Sequence, residues 1–181
     1  MLRSAFRSSF AALSKHAGPV GSAPASAPAA ATASNPDLLD RLQQAMKFIA
    51  DPANPGFDSN LHGLEITHAE EGRVVCLFKL TEHHTNRMGN LHGGLSATIV
   101  DIVTTLACVS KTNHPGVSTD LNVTYLNPAT VGDTIRIEAS VIKAGGRLAF
   151  TAADILRNHD NVIVAHGRHT KYMAGGAHKK A

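Results

Sequence analysis

The sequence predicts an α+β fold in which an antiparallel sheet wraps around one long central helix. Three observations predict it. The run Leu95–Val109 is apolar apart from small hydroxyls and one carboxylate, Asp101, and contains neither Pro nor Gly. That is the pattern of a helix buried on most of its faces. Alternating apolar and polar residues mark strands both before and after it. The later strands follow one another with no second helix between them, which favours an antiparallel sheet over alternating βαβ units.

Taken in order, the chain opens on a segment of different composition. Arg3, Arg7 and Lys15 are basic, and the first acid in the protein is Asp37. Leu2, Phe6, Phe10 and Leu13 fall at helical spacing opposite the arginines, and residues 18–33 are Ala/Pro/Ser-rich. A basic amphipathic helix followed by low-complexity linker is the pattern of a mitochondrial transit peptide, expected over residues 1–34. The folded domain is expected over 35–174, with a flexible basic tail at 175–181. Asn35-Pro36-Asp37 offers a cap, a first-turn Pro and an acid for the positive end of a helix dipole. Leu38, Leu42, Ala45, Met46 and Ile49 line one face of that helix, which should stop before Asp51-Pro52. Alternating runs at about 63–68 and 73–80, separated by Glu70-Glu71-Gly72, read as a hairpin. After the central helix, strands are expected over 117–126, 134–143, 148–156 and 162–172. Asn127-Pro128, Gly132-Asp133, Gly145-Gly146 and 158–161 supply the turns between them.

Composition bounds the possibilities. Only 4% of residues are aromatic and there is no Trp, so the core must be built from aliphatics, Ala and Thr. The formal charge of +3 comes without a Lys/Arg run interleaved with aromatics, so no nucleic-acid partner is expected. Cys76 and Cys108 both lie in apolar segments and read as buried free thiols in a reducing compartment. No consecutive apolar stretch reaches the length of a membrane span. His83, His84 and His92 are the densest histidines but lack HExxH or Cys/His ligand spacing, so no metal is expected. No P-loop or dinucleotide fingerprint is present, and no cofactor is expected.

The chemistry concentrates at Asn86-Arg87-Met88-Gly89-Asn90-Leu91-His92-Gly93-Gly94 and the helix behind it. Glycines at a helix start let another backbone or ligand approach, and the first-turn amides have no intrahelical acceptor. A lone Asp101 within the apolar run has two readings on pattern alone: a catalytic group, or a structural acid bonded to a buried amide or hydroxyl.

Several segments, in one order, resemble the hotdog-fold acyl-CoA thioesterases, in the branch that includes the phenylacetate-pathway thioesterases. They are Glu82–Asn86 running into Leu91–Gly94 with Asp101 beyond, Pro115–Tyr125, Leu148–Thr151 and Gly167–Lys171. The resemblance covers about 37–172. It implies a hotdog fold, an acyl-CoA substrate hydrolysed to free acid and coenzyme A, and sites built from two subunits of a homodimer that pairs into a homotetramer. On this view the Gly93 and Gly94 amides polarise the thioester carbonyl. Asp101 acts as general base on water, or as nucleophile through a mixed anhydride. Asn86 and Ser118 position the reactants, and His92 donates to the carbonyl or orients the turn. One chain would contribute Asn86 and Gly93, its partner Asp101 and Ser118. The spacing agrees: at about 1.5 Å per residue, Gly94 and Asp101 stand about 10 Å apart along one helix, too far to serve one carbonyl. Coenzyme A carries phosphates, so Lys143, Arg147, Arg168, His169 and Lys171 near the last strands are the candidate anion contacts. A hydratase, a dehydratase and a non-hydrolytic acyl-CoA binding module are the alternatives, and the low aromatic content favours an aliphatic acyl group.

Overall fold

The computed structural model describes residues 33–53 and 56–173. The expected leader, apart from Ala33 and Ser34, and the expected basic tail lie outside the described residues.

Helix α1 (Pro36–Ile49) starts where the cap signal placed it, with the Asn35 side chain accepting from the Leu38 N–H. It buries Leu42 and Met46. A 3₁₀ turn (Phe57–Leu61) leads into the hairpin of β1 (Glu65–Glu70) and β2 (Arg73–Lys79). The turn between them uses Gly72 at φ 78°, a conformation glycine adopts without strain. Helix α2 (Gly93–Thr112) follows, then β3 (Val117–Tyr125), β4 (Thr134–Ala144), β5 (Leu148–Arg157) and β6 (Ile163–Tyr172).

The strands form one sheet, ordered β1-β2-β4-β5-β6-β3, with every neighbouring pair antiparallel. The chain leaves β2, runs down α2 and enters the sheet at its far edge as β3, then returns to β4 beside β2. At 20 residues α2 spans about 30 Å, the reach this crossing requires. Its length and apolarity alone would suit a membrane span, but it is the core helix: Ile99, Val100, Val103 and Ala107 are fully buried.

The two halves of the sheet differ in what they present to α2. Val74, Cys76 and Phe78 of β2 and Ile135, Ile137 and Ala139 of β4 make an aliphatic bed. On β6 the inward positions are Ala165, Gly167, His169 and Lys171, small and then polar. At Gly167 an added Cβ would stand 2.4 Å from Val100 Cγ1, so the missing side chain is what lets α2 lie against β6. That close approach sets Asp101, the next helix residue, over the polar end of β6.

Edge strand β3 is bonded only to β6 and is exposed along nearly its whole length, including Val117, Leu121 and Tyr125. Strict alternation would put Ser118 on the opposite face from Leu121. A bulge corrects this: Ser118 pairs with Lys171 and Leu121 with His169, with Thr119 set aside between them. Ser118 is thereby turned toward α2.

Candidate active site

The loop before α2 is held by its own backbone. Thr85 and Leu91 bridge, the His92 N–H donates to the His84 carbonyl, and Asn90 bridges to Thr130. His84 anchors the loop from below. Its Nδ1 accepts from the Thr81 N–H at 3.0 Å while its ring stacks against Phe78. Burial, reinforced by neighbouring His83, pushes its pKa below the ordinary histidine value. Asn86 Oδ1 accepts from the N–H groups of Met88 (2.9 Å) and Asn90 (3.3 Å). With its oxygen engaged, Asn86 keeps its amide NH₂ for other partners, and that group can only donate.

At the helix start His92 orients the turn, one of the two parts expected of it. Its Nδ1 accepts from the Gly94 N–H at 3.0 Å, capping the helix. This corrects the expectation that both glycine amides are open, because Gly94 is engaged within the turn. The Gly93 N–H has no acceptor among the described residues. Tyr125, which the sequence did not single out, donates from Oη to the Gly93 carbonyl at 2.9 Å and lays its ring beside the glycine. One open amide at a helix N-terminus is a donor aimed at developing negative charge.

The second group of residues sits two turns along α2. Asp101, with 40% of its side chain exposed, takes the Ser118 hydroxyl on Oδ1 at 3.3 Å. His169 Nε2 lies 3.6 Å from the same oxygen and Lys171 Nζ 3.9 Å. Thr104 and Thr105 complete the cluster, Thr104 Oγ1 at 2.7 Å from His169 Nδ1 and Thr105 Oγ1 accepting from Lys171 at 2.8 Å. Their signal in the sequence was the pair of hydroxyls one turn after the acid, which helix periodicity places on the acid's face.

The candidate anion contacts therefore separate. His169 and Lys171 are buried beneath Asp101 and form no solvent rim, since their positions on β6 point into the sheet's concave face. Lys143, Arg147 and Arg168 remain exposed, Arg168 on the outer face opposite α2. Nothing among the described residues draws these three to Asp101. Gly93 and Asp101, eight positions apart on α2, stand about 12 Å from each other along the axis. A cleft of about 710 Å³ between α1 and β1, lined by Leu39, Met46, Leu61 and Ile66 among others, contains none of the candidate catalytic residues. One chain thus presents two candidate half-sites, the open Gly93 amide at the start of α2 and the Asp101 cluster two turns along it.

One antiparallel sheet laid around a single long helix defines a hotdog fold. Comparison with known proteins makes the assignment specific. The thioesterase superfamily profile matches residues 88–164. Acyl-coenzyme A thioesterase 13 from Mus musculus is 42% identical over 137 residues, 75% of this chain and 96% of that protein. The Homo sapiens protein is 41% identical over the same span. Among solved structures, zebra fish thioesterase superfamily member 2 superposes with a TM-score of 0.71 at 44% identity, covering 74% of this chain and 96% of that one. The Mus musculus structure gives 0.69 at 38% identity. The chain belongs to the thioesterase superfamily.

Proposed function

We propose that the protein hydrolyses acyl-coenzyme A to a free carboxylic acid and coenzyme A, with medium- or long-chain fatty acyl groups as its substrates. One observation carries the reading: Asp101, partly open to solvent and bonded to Ser118, shares α2 with the free Gly93 amide. The substrate class is that of the mouse and human relatives, which this chain matches over 96% of their length. The fatty preference is supported by the scarcity of aromatic residues, 4% of the chain.

In the reaction, the Gly93 N–H and the Asn86 amide polarise the thioester carbonyl. Asp101 takes a proton from water as the water oxygen attacks the carbonyl carbon. The tetrahedral intermediate, its oxyanion facing Gly93, collapses with loss of the coenzyme A thiolate, which takes up the proton held by Asp101. Attack by Asp101 itself, through a mixed anhydride, reaches the same products.

The two half-sites meet across a homodimer. The 12 Å separation along α2 supports this, as does β3, an open edge with Val117 61%, Leu121 39% and Tyr125 57% exposed. The family resemblance extends the dimer to a tetramer. The basic, acid-free composition of residues 1–34 supports delivery to the mitochondrial matrix.

The test is thiol release from an acyl-CoA panel by the wild type and Asp101→Asn. Loss of roughly 10²-fold or more in kcat is expected for removal of the base. Mixing separately inactive Asn86→Ala and Asp101→Asn proteins should then restore turnover, since a mixed dimer holds one intact site. Binding without turnover by the wild type would replace this reading with an acyl-CoA binding module. Failure of the mixture to recover activity would refute the shared site.

A further inference from the structure

Two basic side chains lie inside the sheet directly under Asp101. Lys171 is 3% exposed and His169 1%. Burying an ammonium is costly unless it is compensated, and burial does push the Lys171 pKa down, opposed by the charge of Asp101. Lys171 Nζ donates to Thr105 Oγ1 at 2.8 Å and to Ser118 Oγ at 3.3 Å, and stands 3.9 Å from Asp101 Oδ1. Because the Ser118 oxygen accepts from Lys171, its one proton is directed to Asp101 Oδ1. His169 Nε2 is fully buried without a hydrogen-bond partner among the described residues, and it points at the same Oδ1 from 3.6 Å. Its Nδ1 lies 2.7 Å from Thr104 Oγ1, a hydroxyl that also donates to the Val100 carbonyl at 2.7 Å. Every polar contact of the Asp101 carboxylate thus falls on Oδ1, and Oδ2 has none among the described residues.

We propose that Lys171 is a positioning residue of the hydrolytic centre: through Ser118 it pins Oδ1 so that Oδ2 receives the water proton. This rests on the reading of Asp101 as the base. The titratable groups facing the cluster are Asp101 and Cys108 on α2, Asp120 on β3, and His169 and Lys171 on β6. Burial and then Lys171 push the His169 pKa below the ordinary histidine value, against the charges of Asp101 and Asp120. Lys171 is the group whose Nζ bridges Thr105 and Ser118. Its role explains why two basic residues near the end of β6 face inward, where neither can reach a phosphate.

The experiment is kcat and KM for thiol release by the full chain, as wild type, Lys171→Met, Ser118→Ala, the double variant and Lys79→Met. Lys171→Met should lower kcat about tenfold or more with KM held, since Ser118 loses the partner that aims its proton. If Lys171 acts through Ser118, the double variant should be no slower than the slower single. Lys79→Met, at an exposed lysine of β2, should match the wild type. Unchanged kcat in a folded Lys171→Met, or full additivity of the two singles, overturns the proposal. So does a raised KM with unchanged kcat, which would make Lys171 a coenzyme A contact. Should Lys171→Met fail to fold, Thr105→Val, which removes the 2.8 Å partner of Lys171 Nζ, decides by its kcat in the same way. Asp101→Asn is measured alongside: full activity there would sink the underlying reading, whereas unchanged kcat in Lys171→Met with Asp101→Asn inactive sinks the proposal alone.

Discussion

Adding one carbon at Gly167 should loosen the central helix and disable the site together. The Cβ of Gly167→Ala would sit 2.4 Å from Val100 Cγ1, 2.6 Å from Cγ2 and 3.1 Å from Cβ. Carbon atoms are in good contact at about 3.5–4.0 Å, so the shortfall is about 1 Å. Val100 cannot rotate away, because a β-branched side chain in a helix has essentially one χ1 well. Helix α2 must therefore lift from β6, and overpacking of this kind costs about 1–3 kcal/mol. The same lift carries Asp101 from Ser118, whose hydrogen bond is already 3.3 Å long. A displacement near 1 Å at reacting groups costs about 10²-fold in rate. Urea denaturation and thiol release on the same protein measure both effects. Val100→Ala removes the two nearest clashing atoms, so the double variant should be less destabilised than the sum of the singles. A Gly167→Ala protein within about 0.5 kcal/mol of wild type, the range of neutral substitutions, and with unchanged kcat would refute the contact.

Two further outcomes follow from the geometry. A Cβ at Gly93 meets the Tyr125 ring at 3.4 Å, an ordinary contact, so Gly93→Ala should fold with unchanged denaturation midpoint yet lose about tenfold or more in kcat/KM as the methyl crowds the thioester. A stability loss without an activity loss would show that this glycine serves packing. His84 and His169 both have pKa values pushed below the unfolded value of about 6.5, burial being the largest cause in each. The folded state then binds fewer protons than the unfolded one. Their contribution is complete above about pH 6.5 and is lost as pH falls from there through the folded values. Urea midpoints measured from pH 7.5 to 5 should decline, and His84→Gln should flatten part of the slope.

Local signals carried much of the architecture. The Asn35 cap, the apolar run of α2 and the alternation of the later strands are each decided by neighbours a few residues away, so they were legible as sequence. Asp101 and the open backbone at Gly93 were legible for the same reason, being departures from a local pattern. What lay beyond sequence was set by contacts between residues distant along the chain. The bulge at Thr119 turns Ser118 to the helix side, and alternation alone would have turned it away. A helix start leaves the Gly94 amide open by pattern, and only the fold sets His92 Nδ1 3.0 Å from it. His169 and Lys171 read as contacts for coenzyme A phosphates because basic residues near a strand end usually face solvent. Only the pairing of β6 between β5 and β3, with Gly167 drawing α2 down, buries them under the acid. The sequence by itself determined the elements and the single acid, because these depend on local periodicity. Tertiary structure decided which oxygen of that acid is held and by what, because a carboxylate's partners are chosen by strand register and helix approach.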